Sequence, residues 1–134
     1  MTTMHVTSGG ALKEVTSSHN ETVHAFVYPA DEIKKRGLQP VKVWVAAQAG
    51  ESSVGLELTL EDNSGRVLAG PATTFGTTVP QLMAITPLRA SAFPLRTVPT
   101  VLILRARNRK DGGGTSLVGG LSIELQAPSS SSTE

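Results

Sequence analysis

The sequence predicts an all-β chain: an antiparallel β-sandwich of about seven or eight short strands with at most one short helix. Three observations carry that expectation. Several segments alternate apolar and polar residues with a period of two, as half-buried strands do. Thirteen Gly and eight Pro among 134 residues punctuate those segments with turn formers. Aromatic residues make up only 4% of the chain against 39% hydrophobic residues, so Val, Leu, Ile and Ala must fill the core, and the β-branched members of that set favour strands. A chain of this length suits one domain, because a second core would have too little apolar material to bury.

Residues 1–20 read as a polar arm rich in Thr, Ser, Gly and His, in which Val6, Leu12 and Val15 supply material for one weak strand. The sandwich is expected over residues 21–127. Residues 22–28 alternate and stop at Pro29, which has no N–H for a ladder. Residues 31–37 begin acidic, end basic and finish on Gly37, which suits one or two helical turns complementing their own dipole. Lys34, Lys35 and Arg36 therefore have a structural explanation.

In residues 41–47, Val41, Val43 and Val45 share one face, with Lys42, Trp44 and Ala46 on the other. Residues 54–60, with Val54, Leu56, Leu58 and Leu60 against Gly55, Glu57 and Thr59, form the clearest half-buried strand. Asp62, Asn63, Ser64 and Gly65 make a turn, from which residues 66–69 return as a hairpin partner. Residues 70–100 are irregular and broken by Pro71, Pro80, Pro87, Pro94 and Pro99, with residues 81–86 strand-like among them. Residues 100–107 are apolar on both faces and then basic, as a central strand leaving the core would be. A turn over 108–114 leads to the last strand, 120–127. The Ser-rich tail, residues 128–134, has nothing to bury and is expected to be disordered when the domain is alone.

Net charge is only +1, but the signs are segregated along the chain. No acidic residue lies between Arg66 and Lys110, a stretch that also carries Arg89, Arg96, Arg105, Arg107 and Arg109. Such a distribution predicts a polarised surface that orients the molecule against a partner.

Several function classes find no support. The chain has no Cys, which removes disulfides, thiolate metal sites and cysteine nucleophiles. No apolar run approaches the roughly 20 residues of a membrane span, and residues 1–10 lack the features of a signal peptide, so the chain is expected to be soluble, made in a cytoplasm and without a membrane partner. His5, His19 and His24, with Asp31, Glu32, Asp62 and Asp111, fall in no metal-ligand or acid–base spacing, and no motif of a known catalytic class occurs. No metal, cofactor or enzymatic activity is expected. The turn at 62–65 has oxygen ligands in a row but lacks the alternating carboxylates of a calcium loop. Arg105, Arg107 and Arg109 would project from one strand face about 6 to 7 Å apart. No aromatic residue is interleaved with them, which argues against nucleic acid. His24, Phe26, Tyr28 and Trp44 suggest either a sugar platform built on Tyr28 and Trp44, or a core filled by Phe26 and Trp44 with Tyr28 at its rim.

Residues 55–125, with GLELTLEDNSGRVLAG, TTFGTT and VPTVLILRARNRKDGGGTSLVGGLSIEL, resemble the later strands of jelly-roll and galactose-binding-like sandwiches. About half the chain is covered. The resemblance implies a sandwich of jelly-roll type, shared by non-catalytic carbohydrate-binding modules and by decoration or cement proteins of tailed-bacteriophage capsids. The capsid group is the better match to a chain that reads as a stand-alone domain with polar arms at both ends and an acid-free basic segment. It implies a major capsid protein or other virion protein as partner, self-association as a homotrimer, and residence on the virion surface after synthesis in the host cytoplasm. On that reading the partner-binding residues are Val6, Leu12 and Val15 of the arm with Arg89, Arg96, Arg107 and Arg109. The glycan alternative uses Tyr28 and Trp44.

Overall fold

The computed structural model describes residues 3–127. The strands are β1 (Thr3–Thr7), β2 (Lys13–Val15), β3 (Glu21–Tyr28), β4 (Gln39–Gln48), β5 (Leu56–Asp62), β6 (Val67–Thr74), β7 (Gln81–Ala84), β8 (Thr100–Asn108) and β9 (Ser116–Gln126). Helix α1 (Ala30–Arg36) joins β3 to β4, and a 3₁₀ turn at Ala90–Ala92 interrupts the long segment before β8. One sheet, A, runs β1-β9-β4-β7 with β2 also on β9, and the other, B, runs β3-β8-β5-β6.

The pairings are nested. β2 pairs with β9, β3 with β8, β4 with β7 and β5 with β6, all antiparallel, so the chain from β2 to β9 is one long hairpin folded about the β5–β6 turn. Rolling that hairpin lays β9 beside β4 and β8 beside β5. This is jelly-roll connectivity, and it bears out the fold class expected from the sequence. Among the described residues the strands number nine. The difference from the expected count lies in residues 1–20, which contribute two strands. Both pair with β9, β1 against Ser122 to Gln126 and β2 against Ser116 to Val118. Between them the chain loops out past Gly119 and Gly120, held by Ser8, whose N–H donates to the Leu121 carbonyl while its Oγ accepts from the Leu121 N–H, each at 2.9 Å. Residues 3–7 and 13–15 thus belong to the sheet. The expected tail, 128–134, lies outside the described residues.

Alternation in the sequence becomes the core between the sheets. Leu56, Leu58 and Leu60 of β5 and Leu102 and Leu104 of β8 face Val43 and Val45 of β4 and Leu121, Ile123 and Leu125 of β9, all buried. Helix α1 is too short to be stable in isolation. It is held by the burial of Ile33, and it ends at Gly37, whose φ of 66° is the left-handed conformation a helix C-terminus uses. Arg36 and Glu32 pair at 2.8 Å on its exposed side, a contact worth only a few tenths of a kcal/mol.

The end of the sandwich away from α1 is closed by a buried polar knot. Asn108, at the end of β8, accepts from Ser116 Oγ through Oδ1 and donates through Nδ2 to the carbonyls of Gly114 at 3.0 Å and Val15 at 3.5 Å. Ser116 Oγ in turn accepts from the Gly50 N–H at 2.9 Å. One amide thereby ties β2, β8, β9 and two loops. Gly113 is required beside it, since a Cβ there would lie 2.7 Å from Asn108 Cβ and Cγ.

Two stability losses are expected from this packing, both read from urea unfolding. Leu58→Ala leaves a cavity between the sheets and should cost about 2 to 5 kcal/mol. Asn108→Ala strands the hydroxyl and carbonyls it now satisfies and should cost about 2 kcal/mol or more, whereas Arg36→Ala should cost less than about 0.5 kcal/mol.

Candidate interaction surface

Two outer sheet faces carry the exposed apolar side chains that strand parity leaves outside. On sheet A, β4 turns Trp44 and Ala46 outward, opposite to the buried Val43 and Val45. Ala46 is in register with Leu82 of β7, and Trp44 with Ala84. Leu82 is 69% exposed. On the other side of Ala46 lies Gly119, and a Cβ built there would be 3.3 Å from both Ala46 Cβ and Leu12 Cδ2. Leu12 therefore lies over a strand stripped of its side chain, and it remains 53% exposed. Together Leu12, Ala46, Leu82, Trp44 and Ala84 make an apolar band across the outer face of sheet A. Lys42 flanks it, with its ammonium 5.8 Å from the centre of the Trp44 ring.

On sheet B a smaller cluster forms where Val27 and Ala25 of β3 are in register with Val101 and Ile103 of β8. Val27 is 60% exposed. The rest of that face is charged and internally matched. Arg107 Nε donates to Glu57 Oε1 at 2.7 Å and Arg105 Nε to Glu61 Oε1 at 3.1 Å, from β8 to the neighbouring β5. The cationic row expected on β8 is thus neutralised by carboxylates some 50 residues away in sequence. Arg109 leaves the row. Its guanidinium lies 5.5 Å from the centre of the Phe75 ring, while the Arg109 backbone N–H donates to the Gly55 carbonyl.

The residues singled out in the sequence are thus divided. Val6 and Val15 face inward and are buried in the core, so contact with a partner cannot use their side chains as expected; ladder bonds to β9 turn them in. Leu12 alone of that trio is on the surface, and it shares the band with Trp44. Tyr28 is 1% exposed and packs against Phe93 with ring centroids 5.7 Å apart. Burial pushes its hydroxyl pKa up. Expected at the rim or under a sugar, Tyr28 is inside, because β3 parity places it with the core residue Phe26. Trp44, weighed as a core residue, is on the outer face. Arg89 and Arg96 are exposed, in the long segment before β8. Arg96 stands near the start of β8 and Arg109 just past its end, about 30 Å apart along a nine-residue strand.

His24 ties the two sheets: its Nε2 lies 3.0 Å from the Gly119 carbonyl, and Gly10 passes directly over the ring. Asp62 organises the β5–β6 turn, its Oδ1 accepting from the Ser64 N–H at 2.9 Å, the Ser64 hydroxyl at 2.6 Å and the Arg66 N–H at 3.0 Å. Partial burial works to raise the Asp62 pKa, but those three bonds and the Arg66 charge outweigh it and hold the carboxyl below its usual 3.8. Beside this turn, a pocket of about 250 Å³ opens between the β5–β6 hairpin and the loop after the 3₁₀ turn, lined by Asp62, Arg66, Phe93, Leu95, Arg96 and Thr100 among others. Among the described residues no three His, Cys, Asp or Glu side chains gather as a metal site would require.

The band escaped sequence reading because Ala46, and Gly119 beside it, carry little hydrophobic signal, and Leu82 lies in the proline-broken segment. The register of β4 with β7 and β9 is what assembles it.

No family model and no curated protein sequence matches the chain. A structure of the infectious bursal disease virus Gx strain is similar to it at 13% identity with a TM-score of 0.47, covering 97% of this chain and 33% of that one. This chain thus spans a third of its length. A likeness of that degree carries no weight for function.

The Asp62 geometry sets a pH dependence. A carboxyl with a folded pKa below its unfolded value stabilises the fold above that unfolded value, and the contribution is lost as pH falls through the folded one. The urea midpoints of the parent chain and Asp62→Ala should therefore differ by a constant amount above about pH 4 and converge below it.

Proposed function

We propose that this chain is a non-catalytic structural virion protein of the decoration or cement type, which binds an assembled capsid lattice and stabilises it. Its partner on this reading is a major capsid protein or another virion protein, and it self-associates, as trimers, on the capsid surface after synthesis in the host cytoplasm. Jelly rolls serve as capsid subunits, as lectins and in other roles, so the fold alone does not choose.

The observation that carries the proposal is the apolar band on the outer face of sheet A. Five neighbouring side chains present apolar surface to water, and contiguous patches of that kind mark protein contacts. The glycan reading loses half its platform with Tyr28 buried. Trp44 alone remains for a sugar, and its ring already has Lys42 beside it. A lattice-bound chain stabilises the lattice by mass action, in proportion to its occupancy.

The test is pelleting with capsid lattices, together with the solution mass from light scattering. Deleting residues 1–20 is the wrong variant, since it removes two strands of sheet A. Leu12→Asp with Leu82→Asp alters exposed positions and should leave the unfolding midpoint within about 0.5 kcal/mol of the parent. The parent should scatter as an oligomer and co-sediment, and the double variant should do neither. A double variant that co-sediments like the parent contradicts the role of the band, and Trp44→Ala abolishing retention on a polysaccharide column would favour the glycan reading.

A further inference from the structure

We propose that the pocket between the β5–β6 turn and the loop after the 3₁₀ turn is a docking site for carboxylate side chains on an extended segment of a partner polypeptide. This rests on the reading of the chain as a protein-binding module and adds the chemistry of one contact.

The two cations of the pocket reach it from anchored backbone. Arg66 closes the hairpin turn, with its N–H bonded to the Asp62 carboxylate at 3.0 Å. Arg96 follows Phe93 and Pro94, both buried, and Phe93 is fixed against Tyr28 in the core. The 3₁₀ turn before them is bonded back through Arg89, whose N–H donates to the Leu68 carbonyl at 2.8 Å. Neither guanidinium makes a contact salt bridge among the described residues, although the Arg66 charge helps hold the neighbouring Asp62 carboxyl down. Asp62 is the carboxylate in the lining, and three turn hydrogen bonds already converge on its Oδ1. By contrast, Arg105 and Arg107 on the same face of the molecule's long strand are matched by Glu61 and Glu57. Two of the cations that the acid-free segment leaves without a salt bridge, Arg66 and Arg96, thus line the same pocket.

Shape and polarity narrow the ligand. A volume of about 250 Å³ is below the size of ordinary cofactor pockets and accommodates one or two side chains. The lining is mainly polar, with the buried Phe93 and Pro94 behind it, and Leu95 stands 65% exposed at the rim. Guanidinium groups match carboxylates in a bidentate fork, which sets them apart from an ammonium point charge. An exposed Leu beside them favours an apolar residue flanking the acid. Nucleic acid would need a row of free cations tracking phosphates, and the row on β8 is neutralised.

The test titrates the full chain with acetyl-Leu-Glu-Glu-Leu-amide and with its acetyl-Leu-Gln-Gln-Leu-amide counterpart, following amide NMR shifts. The Glu peptide should shift Phe93, Leu95 and Thr100 saturably, the Gln peptide should bind at least roughly tenfold more weakly, and the difference should shrink with added salt. Arg66→Gln with Arg96→Gln, both exposed positions, should weaken the Glu peptide by roughly tenfold or more while leaving the unfolding midpoint in place. Equal binding of the two peptides, an unaffected double variant, or shifts confined to other regions would overturn the proposal. Excess acetate displacing nothing supports a peptide site, whereas acetate alone reproducing the shifts at equal concentration would reduce it to an anion site and overturn the peptide assignment. A chain that binds the Glu peptide as described but pellets with no lattice removes the capsid reading and leaves the pocket standing. A double variant that has lost the peptide yet still attaches to a lattice leaves the capsid reading and removes the pocket from it.

Discussion

Strand β9 is the constraint on which the rest of the molecule depends. Its eleven residues bond on one edge to β1 and β2 and on the other to β4, so a single segment fixes the first and fourth strands of the chain in one sheet. Its inward residues Val118, Leu121, Ile123 and Leu125 are all buried. A one-residue slip would turn that set to solvent, which is why the register is strongly specified. The irregularity that the strand does contain, at Gly119 and Gly120, is where β4 shifts register between Val45 and Ala47 and where β1 and β2 part. The same interruption has a consequence on the outside. Without a side chain at Gly119, Leu12 and Ala46 both approach the bare strand there, and the apolar band on sheet A extends across β9.

Much of the sandwich was legible from alternation. Leu56, Leu58 and Leu60 against Glu57 and Thr59 mark β5 without help from any other segment, and the acidic start, basic end and Gly37 mark α1 equally well. Even the position of Trp44 was present in the pattern, since Val43 and Val45 are its alternating neighbours and the ring shares a face with Lys42 and Ala46. A large aromatic favours the core, but strand parity decides the position of Trp44. The same argument applies in reverse to Tyr28, which parity groups with Phe26 inside.

What the sequence did not disclose depends on contacts between distant segments. Nothing local in residues 3–15 distinguishes an arm from two edge strands, because the hydrogen-bond partners that decide it lie more than a hundred residues along the chain. The Arg105 and Arg107 row looked unopposed because Glu61 and Glu57 are brought beside it only by the β5–β8 register. Asn108 read as the start of a turn, and its buried role emerges only once β2, β9 and the Gly50 loop converge on it. For the surface, too, the informative unit is a set of residues gathered from four segments, each unremarkable in its own sequence context. A jelly roll whose outer faces are partly apolar is a scaffold for contact, and beyond the charge matching on sheet B two cations without a salt bridge, Arg66 and Arg96, stand near the β5–β6 turn.

The central claim is that the outer face of sheet A is covered when the protein is at work, and the single Trp of the chain sits on that face. Trp44 emission and its quenching by acrylamide, measured on the free chain and on chain pelleted with a lattice, therefore test the claim most directly. A blue shift and a marked loss of quenching are expected in the bound chain. Emission and quenching that stay unchanged while the chain is demonstrably bound would contradict it and place the contact on another face.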